Sequence, residues 1–246
     1  MDNKTIFICG SYDLIKLIGE TVVNTSKKVY LVSSDIPDEE TFMKINIHHV
    51  KNQTECEEFI LSNFDEDSFL ISAYWPWKFT KELVKKFNSN SLNFHPSPLP
   101  SDRGWYPHVH QIRKNDISGV TLHIVDEKLD QGDIWVQNIF ELPPLINAGE
   151  AHDILKIEIV KLFKENWENI LNSKITPIKQ SEGGNFYSKL ALDTPEGIEI
   201  HEGSSEDIFL RLLSSRNLKN NSFIKIKIGN IEKFVHINFS EEGNLD

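Results

Sequence analysis

Short apolar runs alternate with amphipathic stretches through the front half of the chain, and this alternation constrains the fold more than any other feature. Thr5 to Cys9, Val29 to Val32, Ile45 to Val50, Phe69 to Ile71 and Leu92 to Phe94 read as strands. Asp13 to Val23, Glu55 to Phe64 and Lys81 to Phe87 read as the helices between them. Strands separated by helices pair in parallel, because a parallel pair needs a crossover and the crossover helix covers the sheet. The expected class is therefore α/β with a mainly parallel sheet. Gly10-Ser11-Tyr12 followed by Gly19 lacks the spacing of a dinucleotide-binding loop, so Gly10 reads as a tight turn.

The last of those strands carries chemistry. In Ser91-Leu92-Asn93-Phe94-His95, Asn93 and His95 stand two apart and share one face. Pro96, Pro98 and Pro100 cannot continue a central strand, which puts His95 at its end, where open α/β sheets bind ligands. A carboxamide can donate to an oxygen that gains charge, and an imidazole can carry a proton between two nitrogens. A carboxylate would complete such a centre by orienting the ring. Asp130, on a turn after the strand-like run Gly119 to Val125, is placed for this, and Asp133 beside Gly132 is its rival.

Asn93-Phe94-His95-Pro96-Ser97 with Leu99-Pro100, then Arg103-Gly104, Gly119-Val120-Thr121-Leu122-His123 and Asp130-Gln131-Gly132-Asp133-Ile134, closely resembles the N10-formyltetrahydrofolate-dependent formyltransferases. That family includes methionyl-tRNA formyltransferase, glycinamide ribonucleotide transformylase and the sugar-nucleotide N-formyltransferases. The resemblance implies catalytic roles for Asn93, His95 and Asp130, a structural role for Asp133, and N10-formyltetrahydrofolate as co-substrate. It extends from about Phe69 to about Gly229. Ser72-Ala73-Tyr74 and Lys81 to Val84 resemble the strand and helix before the catalytic strand; Thr194 to Ile198 and Ser205 to Leu212 resemble the linker and helix after the catalytic domain in the tRNA and sugar branches. The expected organisation is a Rossmann-like formyltransferase domain over residues 1–190, then a small C-terminal helix and β-hairpin over 191–246.

Other features bound the substrate. A chain of 246 residues supports one main core. Its net charge of -11 argues against phosphate-backbone binding, and so against a nucleic-acid partner. No stretch suits a signal peptide or a membrane span, and Cys9 and Cys56 show no disulfide framework, so a reducing, cytoplasmic setting is expected. His95, His108, His110 and His123 lack zinc-site spacing, and no metal is expected. His108 and His110 are placed on a helix after Pro107, near the substrate mouth or exposed.

Asn147 with Glu150 reads as a capping box for a helix to about Leu171, whose stripe of Leu155, Ile159, Leu162, Phe163, Trp167 and Ile170 packs on the sheet. Phe223 to Ile228 and Ile231 to Phe239 alternate around Gly229-Asn230 as a β-hairpin, which needs cover and, in the sugar branch, often lies at a dimer interface. A homodimer is expected, and Ser240 to Asp246 reads as an acidic tail. Arg103, Trp75, Trp77, Trp105 and Tyr106 are the expected substrate-binding residues, with Arg103 reaching a carboxylate or phosphate and the aromatics stacking a pterin or base; Arg211 and Arg216 are weaker pyrophosphate contacts. The chain continues past a catalytic domain yet lacks a large basic extension. Within the resembled family this favours a nucleotide-linked amino-deoxysugar, a dTDP-amino-dideoxyhexose of O-antigen biosynthesis, over methionyl-tRNA or glycinamide ribonucleotide. A formyltetrahydrofolate hydrolase would use the same three residues with water as acceptor.

Overall fold

The computed structural model describes residues 2–36, 40–114, 117–143, 146–189, 198–199, 223–228 and 231–236. In its front half β1 (Asp2–Gly10), α1 (Tyr12–Thr25), β2 (Ser26–Ser33), β3 (Glu40–Phe42), β4 (Ile45–His49), α2 (Gln53–Asn63), β5 (Phe69–Ala73), α3 (Lys81–Phe87) and β6 (Ser91–His95) follow one another. After them come β7 (Arg103–Gly104), α4 (Pro107–Lys114), β8 (Ser118–His123), β9 (Ile134–Phe140), α5 (Ala148–Leu171), β10 (Phe186–Tyr187), β11 (Ile198–Glu199), β12 (Phe223–Ile228) and β13 (Ile231–His236).

Eight strands form the main sheet in the order β3-β4-β2-β1-β5-β6-β8-β9. From β4 to β6 every neighbouring pair is parallel, as the alternating sequence requires. Antiparallel strands close both edges: β3 on β4, and β8 then β9 beyond β6. The sequence pattern did not show β3 or β9. Three residues are too few for a period, and in β9 only Trp135 is buried, so no alternation marks it.

Because helices cover both faces, the inner strands are apolar on both sides. In β1, Ile6 and Ile8 join the core under α1 and α5, while Phe7 and Cys9 join the core under α2 and α3. Burying each such side chain contributes roughly 1.5–3 kcal/mol. α5 begins as expected: Asn147 Oδ1 accepts from Glu150 N at 3.0 Å, and Glu150 Oε2 accepts from Asn147 N at 3.2 Å. Its apolar stripe is buried on the sheet, with Trp167 edge-on to Phe69 and donating from Nε1 to Thr25 Oγ1 at 2.8 Å. Truncating Trp167 would therefore open a cavity and take away the donor to the Thr25 hydroxyl, which keeps its own bonds to the Thr21 and Val22 carbonyls at 3.0 Å.

β12 and β13 pair antiparallel from Phe223↔His236 to Ile228↔Ile231, and β11 adds a parallel strand. The expected hairpin is present, its second strand described to His236, while 237–239 lie outside the described residues. Its turn residues 229–230, the expected helix Ser205 to Leu212, the linker Thr194 to Gly197, Arg211, Arg216, the acidic tail and the 190/191 division lie outside the described residues. Among the described residues, no helix is long and apolar enough to cross a membrane.

Candidate active site

The carboxyl ends of β5 and β6 open onto a cavity of about 540 Å³. Three segments enclose it: residues 74–79 after β5, residues 104–108 around the start of α4, and residues 123–130 after β8. One aromatic set comprises Trp75, edge-on to Trp77 at 5.1 Å and stacked on Phe79 at 6.3 Å. A second runs from Trp105 through Tyr106 and His108 to His152 and Tyr74, each ring touching the next.

Four polar side chains meet at this cavity. Antiparallel pairing of β6 with β8 sets Asn93 opposite His123, and Asn93 Nδ2 lies 2.9 Å from His123 Nε2. His123 Nδ1 is 2.8 Å from the Ile124 carbonyl, which can only accept. The proton therefore sits on Nδ1, and Nε2 accepts from Asn93. The other Nδ2 hydrogen of Asn93 makes only a long 3.5 Å contact with Asp130 Oδ1. His95 Nε2 lies 3.0 Å from the Asp102 carbonyl, so it donates there, and the neutral ring keeps its lone pair on Nδ1, 3.6 Å from Asp130 Oδ2.

The electrostatics separate these groups. Burial lowers the His95 pKa from its ordinary value, and His123 adds to this, against the opposing pull of Asp130. His95 is thus neutral near neutral pH. Burial would push the Asp130 carboxyl up, but His95, then His123 and the Gly104 amide, outweigh burial and hold it well below the usual carboxylate range. A buried base beside an ionised carboxylate is suited to proton transfer. Burial, with the neighbouring His152 and His110, drops His108 to about 3.

The Asp130 turn is held from several sides. Gly104 N donates to Asp130 Oδ2 at 2.8 Å, with Gly104 at a φ of 90°. A Cβ there would collide with the Tyr187 carbonyl, so only glycine brings this amide to the carboxylate. Gln180 Nε2 donates to the carbonyls of Asp130 at 3.1 Å and Gly132 at 3.0 Å, while its Oε1 accepts from Arg103 Nε at 2.8 Å and from Arg103 Nη2. Tyr74, Asp102, Tyr106 and Asp130 all adopt left-handed backbone, at φ of 55°, 54°, 56° and 55°. For side chains of these sizes that conformation costs of order 1–3 kcal/mol each, and it collects around the cavity.

The structure brings Asn93, His95 and Asp130 together and sets Trp75, Trp77, Trp105 and Tyr106 along the cavity. Arg103 departs from expectation. It does not line the cavity; its guanidinium is spent on Gln180, on the Gly183 carbonyl at 2.8 Å and on the Asp130 carbonyl at 3.2 Å. Its partners supply the acceptors that a half-buried guanidinium needs, so it braces the Asp130 turn instead of reaching outward. Asp133 takes a backbone part, its carbonyl accepting from Ile124 N at 2.8 Å. His108 lines the cavity, which is one of the two placements expected for it, and both it and His110 are buried and not exposed, His110 stacking on Tyr187 at 3.4 Å. Sequence reasoning had given His123 and Gln180 no such roles. His123 carried a signal, ending a strand that pairs with the Asn93 strand; Gln180 carried none. Among the described residues, no group of three or more His, Cys, Asp or Glu is placed to hold a metal.

Residues 19–153 match the family described as formyl transferase. A methionyl-tRNA formyltransferase from Clostridium perfringens is 32% identical over 142 residues, 57% of this chain and 45% of that protein. The chain spans about half the length of the curated relatives it matches. A formyltransferase from Anoxybacillus kamchatkensis, solved with UDP-4,6-dideoxy-4-formamido-L-AltNAc and tetrahydrofolate, is 25% identical with a TM-score of 0.59, covering 78% of this chain and 88% of that one. An N-formyltransferase from Helicobacter canadensis, solved with folinic acid and dTDP-3-aminofucose, is 19% identical with a TM-score of 0.70, covering 97% of this chain and 92% of that one.

Proposed function

The chain belongs to the formyl transferase family, and we propose that it is an N-formyltransferase moving a formyl group from N10-formyltetrahydrofolate to the amine of a nucleotide-linked amino-deoxysugar. The observation that carries this is the convergence of a carboxamide, a neutral imidazole and an ionised carboxylate at one cavity. Its volume of about 540 Å³ suits small molecules.

His95 works through Nδ1. With Nε2–H held by the Asp102 carbonyl, Nδ1 takes the proton that the attacking amine loses as the new C–N bond forms. Asp130 stabilises the resulting imidazolium, which then returns the proton to the departing N10 as the old C–N bond breaks. Asn93 donates its second Nδ2 hydrogen to the oxygen that gains charge between these events; one such donor is worth about 3 kcal/mol of barrier. The pterin fits against Trp75, Trp77 and Phe79, and the acceptor against Trp105, Tyr106 and His108.

Support for a sugar acceptor is the likeness to enzymes solved with UDP- and dTDP-linked sugars, together with the net charge of -11. A dTDP-amino-dideoxyhexose of O-antigen biosynthesis is the finer form of the proposal. Residues 1–190 act as the catalytic domain and 191–246 as a C-terminal appendage, in a cytoplasmic homodimer. The test is a panel of dTDP- and UDP-linked 3-amino and 4-amino sugars incubated with N10-formyltetrahydrofolate, read as a mass gain of one formyl group. Turnover is expected with at least one sugar and is lost in His95→Asn and Asp130→Asn. Formylation of initiator methionyl-tRNA with every sugar inert would overturn the sugar assignment.

A further inference from the structure

Beside one rim of the cavity the segments 78–86 and 125–128 are rich in lysine, in a protein whose net charge is -11. Lys78, between Trp77 and Phe79, is the sole lysine or arginine among the described residues lining the cavity. Asp126 lines the same rim, and its neighbour Glu127 pairs with Lys81 Nζ at 2.8 Å. The Lys81 hydrogen bond, with the nearby charges of Lys85 and Lys78, holds the Glu127 carboxyl below its ordinary value. Three ammonium groups therefore surround one exposed carboxylate. Lys81 neutralises it, and neither Lys78 nor Lys85 has an ion-pair partner among the described residues. Segments 78–86 and 125–128 together hold Lys78, Lys81, Lys85, Lys86 and Lys128 against Glu82, Asp126 and Glu127.

We propose that this rim is a binding site for the γ-linked oligoglutamate tail of the folate co-substrate. The inference rests on the folate reading above. A pterin against Trp75, Trp77 and Phe79 leaves its aminobenzoyl-glutamate end to emerge past Lys78, where unpaired ammonium groups meet the tail's carboxylates. Each added glutamate brings one more negative charge to the rim, where among the described residues Asp126 is the one carboxylate lining the cavity besides Asp130 of the His95 cluster. Such exposed pairs attract over a Debye length of about 10 Å at 0.1 M salt and are screened beyond it. Longer tails therefore bind more tightly, and salt removes the difference.

Tryptophan quenching at the cavity reads this without an acceptor, using folinic acid as the monoglutamate and as the pentaglutamate. In the unaltered protein the pentaglutamate is expected to bind about tenfold more tightly in 50 mM salt and within about twofold in 0.5 M salt. In Lys78→Gln/Lys85→Gln the ratio falls to about one, and in Lys78→Glu/Lys85→Glu it inverts. Equal binding of both forms by the unaltered protein, or an unchanged ratio in both variants, overturns the tail site alone. If the variants instead weaken binding of dTDP or UDP with the folate ratio intact, the rim serves the nucleotide diphosphate and the proposal is wrong. Binding of neither folate form overturns the folate reading itself.

Discussion

Asn93 gives one of its two amide hydrogens to His123 and keeps the other for the cavity, because His123 Nε2, 2.9 Å away, is a lone pair fixed by the Nδ1 bond to Ile124. A carboxamide otherwise free to flip is thereby locked with its NH2 toward Asp130. Catalysis by oriented dipoles depends on this kind of advance positioning.

His123→Phe keeps a ring of similar size but removes the acceptor. The expected result is a fall in kcat of about 10- to 100-fold with little change in KM, since the oxyanion donor is made and lost only in the transition state. Adding Asn93→Ala to His123→Phe should cost much less than the sum of the two single losses, what remains being the share of His123 in holding Asp130 ionised. Additive losses in steady-state kinetics would show that His123 acts independently of Asn93.

Arg103→Lys separates bracing from substrate binding. Lysine cannot reproduce the forked contacts to Gln180, Gly183 and Asp130. A stability loss of about 1–3 kcal/mol in urea melts is expected, with kcat reduced more than the acceptor KM is raised. An increase in acceptor KM at unaltered stability would instead place the guanidinium on the ligand.

Gly104→Ala attacks the same turn from its other side. Alanine at a φ of 90° is strained, and its Cβ meets the Tyr187 carbonyl, so the amide must withdraw from Asp130 Oδ2. A loss of more than about 1 kcal/mol is expected. Released from one of the donors that hold it ionised, Asp130 should also protonate at higher pH, visible as an upward shift of its carboxyl titration in NMR.

Acid should weaken the fold through the buried histidines. An unfolded histidine takes up its proton near pH ~6.5, whereas folded His108 does not until about pH 3. Between those values the unfolded state holds more protons, so stability falls as pH is lowered, by up to about 1.4 kcal/mol per pH unit for each such group. Above pH ~6.5 the contribution is fully present and flat. His95, also lowered, adds a second group over the upper part of this window. Urea melts from about pH 4.5 to 7.5 should show the slope, and His108→Gln should reduce it. Asp130, held low in the folded state, adds a loss of the same sign only as the unfolded carboxyl begins to take its proton near pH ~4, at the lower edge of this range.

Much of this was legible in the residues themselves. Apolar runs on both faces of a strand mark a covered sheet, so the inner strands, Lys81–Phe87 and the Asn147–Glu150 cap of α5 could be read locally. Asn93, His95 and Asp130 were legible through a resemblance that names residue types in order. The direction of Arg103 was not. Its main partner, Gln180, stands 77 residues away, and an arginine beside a glycine looks the same whether it braces a loop or greets a ligand.

From sequence alone came the elements, their parallel order and the identity of the polar groups at the strand end, because periodicity and proline chemistry act over neighbouring residues. Tertiary structure alone decided which way those groups face. The antiparallel register of β6 on β8 turned His123 into the partner of Asn93, and the Gln180 bridge held Asp130 in a left-handed turn beside His95. Hydrogen-bond geometry is fixed to a fraction of an ångström only when distant segments pack, and local propensity carries no such information.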